Sequence, residues 1–245
     1  MLACGKTERG KPHPYIYNFE KIAAYSNGPD IWKPLSPFNL GPFPVTEKFN
    51  PNDIFTDGIR PGWTKFWNGI EWMQTINCLS FERYWQGGKV YQKDLSETLF
   101  HNPISSINTP ILGKYTLNSS FYERRIDMFT NPNRAKTSVR NPLPKATYGK
   151  PIQGFYSNEF IDYVPSRKKY YCPGYVYFAS QTRTYQTLLE KHQRGENLLI
   201  VGPDGLNTPI TDQNMRNIIN DPKYIFGHEL VICCMLANLT PWIDV

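Results

Sequence analysis

The sequence predicts an α+β fold: a helix-rich single domain with short strands scattered among helices, lacking the regular alternation of a doubly wound sheet. Three observations lead there. The 245 residues are 40% hydrophobic and 15% aromatic, which supplies a sizeable core and argues against a disordered chain. The 21 prolines are unevenly spaced, and they decide where helices can run. One continuous apolar run, Leu198-Leu199-Ile200-Val201, suits a buried strand and is closed by the turn signal Gly202-Pro203-Asp204-Gly205.

The elements follow in order. Pro29, Pro34, Pro37, Pro42, Pro44 and Pro51 permit no long helix in the first 60 residues, which read as loop and short strand. Ser80 is placed to cap a helix over about 80–94, because Phe81 to Lys93 carries no proline. From Pro103 to Pro151 the chain is rich in Pro, Asn and Ser and reads as irregular. Asn158 is placed to cap a helix starting at Glu159, and a longer helix is expected from about Val176 to Gln193, stopped by Gly195. Helices over about 211–220 and 227–238 close the chain.

Several function classes drop out. No apolar run reaches the length of a membrane span; the longest is Leu230 to Ala237. The start, Met1-Leu2-Ala3-Cys4-Gly5-Lys6, lacks the apolar core of a secretory signal, so a soluble, cytoplasmic protein with no membrane partner is expected. Cys4, Cys78, Cys172, Cys233 and Cys234 include no Cys-x-x-Cys spacing, and the four histidines are isolated from one another. Neither a disulfide scaffold nor a metal site is expected, and no cofactor.

The segment richest in chemistry is Ser80-Phe81-Glu82-Arg83-Tyr84-Trp85-Gln86-Gly87-Gly88-Lys89-Val90-Tyr91. On a helix, Glu82, Gln86 and Lys89 stand at i, i+4 and i+7, so an acid, an amide and an amine share one face. Gly87 and Gly88 each cost about 1 kcal/mol relative to Ala in a helix interior. Close approach of a ligand or of another backbone is the usual compensation. Tyr84 and Trp85 flank the polar face and are suited to stack on a base or cover a sugar. An exposed, salt-bridged stripe is the competing reading of the same pattern.

Glu82, Gln86 and Lys89 with Tyr84 and Trp85 resemble the signature helix of the NADAR (YbiA-like) family. Leu35-Ser36-Pro37-Phe38-Asn39-Leu40-Gly41-Pro42-Phe43 is similar to that family's Leu-Ser-Asn-Phe and Pro-Phe segment. Ile161-Asp162-Tyr163, Arg167 and Phe178-Ala179-Ser180-Gln181 resemble its Asp-Trp, Arg and Lys-Phe-x-x-Asn stretch, and the blocks come in the same order. The resemblance covers about half the chain, leaving 44–79 and 97–157 as insertions. The family's late Gly-x-Asn-x-Leu-Gly element survives only as Gly227-His228-Glu229-Leu230.

The resemblance implies a NADAR-like architecture and an N-glycosidase that releases ADP-ribose from a guanine-type base. Cleavage of phosphorylated riboflavin-pathway intermediates, or a binding module for ADP-ribose or nucleic acid without turnover, are the alternatives. It makes Lys89 the catalytic lysine, attacking the ribose C1 to form a Schiff base, and Glu82 the proton carrier or the group orienting the ribose hydroxyls. Gln86 positions the sugar, and Tyr84, Trp85 and Phe38 supply apolar surroundings that keep the amine neutral. Arg167 is the phosphate contact, and Asp162 pairs with it or holds a ribose hydroxyl.

Other segments carry less. Ser26-Asn27-Gly28 reads as a surface turn, and Cys233-Cys234 as small buried thiols. His228 and Glu229 adjoin, but neighbouring side chains diverge on a helix. The net charge is +6. Arg124, Arg125, Arg134, Lys136, Arg140, Lys145 and Lys150 face Asp127 alone, a balance that equals the whole excess. Interleaved with Asn, Pro and Tyr148, this stretch either tracks a nucleic-acid backbone or is a solvated loop.

Overall fold

The computed structural model describes residues 1–6, 19–25, 29–49, 59–60, 62–97, 115–140, 142–143, 149–206 and 208–244. Strands β1 (Leu2–Lys6) and β2 (Glu20–Ala23) precede a 3₁₀ turn over Lys33–Leu35. Next come β3 (Phe43–Lys48), β4 (Thr64–Trp67), β5 (Trp72–Cys78), helix α1 (Phe81–Gly87), β6 (Lys89–Val90) and a 3₁₀ turn over Gln92–Asp94. The middle of the chain holds β7 (Leu95–Glu97), β8 (Tyr115–Leu117), α2 (Ser119–Thr130), α3 (Lys136–Arg140), β9 (Gln153–Tyr156) and β10 (Glu159–Ile161). It closes with α4 (Tyr163–Ser166), a π turn over Arg167–Tyr171, α5 (Cys172–Ser180), α6 (Arg183–Gln193), β11 (Leu198–Gly202), α7 (Asp212–Asn220) and α8 (His228–Leu236). Helices and small sheets thus mix, as the α+β reading expects.

The chain divides into two compact units: Met1–Pro42, Ser80–Glu82 and Asp162–Val245 form the first, Phe43–Leu79 and Arg83–Ile161 the second. The division runs through what reads in sequence as one domain, and the second unit takes in most of what reads as insertions.

In the first unit β11 is the centre of a parallel sheet ordered β1-β11-β2. Leu198, Leu199, Ile200 and Val201 are all buried, as a strand covered on both faces requires. Helix α8 packs on β1 and β11 and against α5, and from His228 to Cys234 every residue is buried. Helical structure is continuous from Tyr163 to Ser180 but passes through the π turn. Pro173 has no N–H for the carbonyl four residues back and crowds it, so the preceding turn widens; the Cys172 N–H bonds the Arg167 carbonyl instead.

Four expectations are corrected. The helix over 176–193 is two helices, broken where the Thr182 side chain accepts the Tyr185 N–H at 3.0 Å and caps α6; Gly195, at φ +80°, ends α6 as expected. Asn158 caps no helix: Ser157 and Asn158, at φ +51° and +62°, form the two-residue turn of the β9–β10 hairpin, a conformation Asn tolerates. The helix over 80–94 stops at Gly87, because the chain turns to pair β6 with β9 and the Gly88 carbonyl accepts the Phe155 N–H at 2.7 Å. Finally, the segments at 44–79 and 97–157 are not irregular where described. The first carries β4, β5 and nearly all of β3, and the second carries β8, α2, α3 and β9, with α2 packed on β5.

Two features hold the second unit. Val90, Leu117, Phe121, Tyr122 and Phe155 form an apolar cluster. Beside it Glu47 is buried between Arg60 and Arg125, bonded to both. Burial alone would push the Glu47 carboxyl up; the two guanidiniums outweigh it and hold that carboxyl below its ordinary value. Among the described residues no helix is long and apolar enough to cross a membrane.

Candidate functional site

The N-terminus of α1 is built by a segment 40 residues upstream. The Phe81 N–H donates to the Leu40 carbonyl at 2.7 Å and the Glu82 N–H to the Pro37 carbonyl at 2.8 Å. Two N–H groups that a helix start leaves without intrahelical partners are thereby satisfied. The Phe81 ring lies 5.5 Å from Tyr171, 6.2 Å from Tyr175 and 5.9 Å from Phe178. Gly174 allows this: a Cβ there would stand 2.8 Å from the Phe81 ring. The Tyr175 hydroxyl donates to the Leu35 carbonyl at 2.6 Å. Segments 35–40, 80–82 and 171–178 therefore form one packed group within the first unit, with Glu82 only 7% exposed and Phe38 half-buried at its edge.

Glu82 and Gln86 stand one turn apart on α1, both buried. Lys89 does not continue that face. It is a half-buried residue of β6, paired with Gly154, and its carbonyl accepts the Arg124 guanidinium at 2.9 Å. Arg124 is in turn bonded to Asp94 at 2.6 Å, so an internal ion pair fixes the backbone at Lys89. Glu82 belongs to the first unit, Gln86 and Lys89 to the second.

The double glycine has a packing explanation. A Cβ on Gly87 would stand 2.6 Å from the Phe129 ring, and one on Gly88 would overlap the Tyr156 ring. Tyr156 also stacks on Trp85 at 5.3 Å and 9°, and its hydroxyl donates to the Trp85 carbonyl at 2.7 Å. Tyr84 packs against Phe43, Phe129 and Tyr156. Close approach is indeed what the glycines serve, but rings of the chain itself make it.

Arg167 is not placed as a phosphate contact. It is 1% exposed, and its guanidinium donates to the carbonyls of Ile218, Ile219, Asp221 and Tyr224, clamping the C-terminus of α7. Carbonyls there lack helical partners and carry the negative end of the helix dipole, so a buried cation belongs there. Arg83, unmarked in the sequence reading, does the same for α2, donating to Met128 and Asn131 at 2.9 and 2.8 Å. Asp162 is exposed, at the start of α4, and makes no side-chain capping bond there.

The basic stretch is also revised. Arg124 pairs with Asp94, Arg125 with Glu47 and Arg134 with Asp127, so three of its seven cations are bound internally. Lys136, Arg140 and Lys150 are exposed. Lys145, Tyr148 and the Ser26-Asn27-Gly28 turn lie outside the described residues.

The sequence leaves Tyr171 and Tyr175 unmarked, and Glu229 is set aside there because neighbouring side chains diverge on a helix. All three are buried, and burial pushes the Tyr171 and Tyr175 phenols well up from the ordinary value. Nearby negative charge adds to this: Glu82 and Glu229 at Tyr171, and Glu229 at Tyr175. Two carboxylates and two phenols thus share the interior of the first unit. The aromatic run Tyr170-Tyr171 and the Gly227-His228-Glu229 element were the available signals. Contrary to the divergence expected of neighbours, His228 Nδ1 stands 3.3 Å from Glu229 Oε2. Among the described residues no cluster of His, Cys, Asp and Glu is arranged to hold a metal. Comparison of the chain with protein-family models, curated proteins and solved structures returns no match.

Proposed function

We propose that the protein is an N-glycosidase of the NADAR kind, releasing ADP-ribose from a guanine-type nucleobase. The observation that carries this reading is that one part of each motif block, 35–40, 80–82 and Phe178, lies in a single packed group. Segments 35–40, 80–82 and 171–178 are far apart in sequence, yet the Leu35, Pro37 and Leu40 carbonyls and the Phe81 ring join them. A pattern matched by accident gives no reason for its pieces to assemble.

Cleavage builds positive charge at the ribose C1. In this account the neutral Lys89 amine bonds to C1 as the bond to the base nitrogen breaks, and the leaving base takes up a proton. Loss of a proton from the amine and opening of the ribose ring give a Schiff base. Water then restores the free lysine and ADP-ribose. Gln86 hydrogen-bonds the sugar, and the Arg124–Asp94 pair keeps the backbone at Lys89 in register.

A binding module without turnover is the second reading, favoured by Arg167, whose donors are taken by carbonyls. Incubation with ADP-ribosylated guanosine and with ADP-ribosylated DNA separates the two. Release of ADP-ribose with guanosine or repaired DNA supports the enzyme; saturable binding without product supports the module.

A further inference from the structure

The carboxyl ends of the three parallel strands in the first unit abut two segments, the turn after β11 and the first turn of α8. Gly202 ends β11 and opens a turn closed by the Gly205 N–H on the Gly202 carbonyl at 3.2 Å. Gly205 lies so close to the Gly5 carbonyl of β1 that a Cβ would overlap it. The Ala24 carbonyl, just past β2, accepts His228 Nε2 at 2.7 Å. Gly227 caps α8, whose first turn brings in His228 and Glu229.

Glu229 is completely buried, and among the described residues neither carboxylate oxygen has a hydrogen-bond donor. Its Oε1 lies against Gly202, where any Cβ would overlap it. Its Oε2 lies 2.6 Å, and Asp204 Oδ2 3.0 Å, from the point a Gly227 Cβ would occupy, so both carboxylates converge there. His228 Nδ1, at 3.3 Å, lacks the geometry of a hydrogen bond to Glu229. Glycines, a helix N-terminus and the carboxyl edge of a parallel sheet commonly cradle phosphate. Two carboxylates reverse that preference: they repel an anion and accept from hydroxyls. A buried carboxylate without donors costs stability, which a ligand hydroxyl would offset.

We propose that Glu229, with Asp204, is a binding site for ribose hydroxyls, and that this glycine turn takes the sugar of a nucleotide and excludes its phosphates. The inference rests on the N-glycosidase reading for its ligand, ADP-ribose, and deepens it.

The test is isothermal titration of the full chain with ADP-ribose and with its analogues lacking the 2-hydroxyl of either ribose. Wild type is expected to bind ADP-ribose and to disfavour one analogue by about tenfold or more. Glu229→Gln is expected to weaken ADP-ribose by a similar factor and to lose that discrimination, which a merely structural role would not abolish. Asp204→Asn, at a half-exposed position, is expected to lose part of it and serves if Glu229→Gln does not fold. Unchanged affinity and discrimination in the folded variants would overturn the proposal, as would failure of wild type to bind ADP-ribose. Binding with these losses but without base release overturns the enzyme reading alone; base release with unaltered KM in Glu229→Gln overturns this proposal alone.

Discussion

The Tyr175 hydroxyl donates a 2.6 Å hydrogen bond to the Leu35 carbonyl, 140 residues away in the chain. Both groups are buried, and the same tyrosine ring packs on Phe81 at the start of α1. One side chain therefore joins the segment that anchors α1 to the helix beneath it. Tyr175→Phe leaves the Leu35 carbonyl without its donor and should cost about 1–3 kcal/mol in urea denaturation. Unchanged stability would show that the three segments are held together by apolar packing alone.

Gly88 lies under the Tyr156 ring, which Gly154 admits from the other side. Gly88→Ala should force that ring off Trp85 and lower stability by about 1–3 kcal/mol, with a change in near-ultraviolet circular dichroism. An unperturbed spectrum would mean that the double glycine serves something other than the stacked rings.

Glu47 ties acid sensitivity to the second unit. Its carboxyl is held below its ordinary value, so its contribution is fully present above about pH 4.3 and is lost as pH falls through the depressed folded value. Glu47→Gln leaves two buried guanidiniums without their anion and should destabilise by about 3–5 kcal/mol at neutral pH. In denaturation series from pH 7 to pH 3, the gap between wild type and variant should narrow only at the acid end. A constant gap would rule out this pair as the source.

Nucleic-acid affinity, if present, should depend weakly on salt. With Arg124, Arg125 and Arg134 bound to acids of the same unit, four cations at most remain in the basic stretch. The slope of log affinity against log salt should be no steeper than about −3 for single strands. A slope near −5 would show that the internal pairs open on binding.

The legible parts of the fold were those that local chemistry decides. The buried strand at 198–201, the helix over about 211–220 and the stop at Gly195 were expected; the strand follows from its apolar run and the stop from a glycine at positive φ, and Thr211 caps the helix. The missed parts depend on distant partners. Nothing near Gly88 announces that its carbonyl will meet Phe155, which ends α1 early and moves Lys89 onto a strand. Charge misled for the same reason: Arg167 reads as a phosphate contact and Arg125 as part of a nucleic-acid-tracking or solvated stretch, because their acceptors lie about 50 and 78 residues away in the chain. Glu229 was hidden by its own neighbourhood, since adjacency to His228 on a helix argues against an encounter that the first turn of α8 nevertheless brings to 3.3 Å.

The most direct measurement is base release from ADP-ribosylated guanosine by wild type and Lys89→Ala, with borohydride added to trap any Schiff base and the adduct located by peptide mass. Wild type should release guanosine and carry a reduced sugar adduct on Lys89, while folded Lys89→Ala should do neither. Base release by Lys89→Ala at the wild-type rate, or an adduct on a different lysine, would contradict the account.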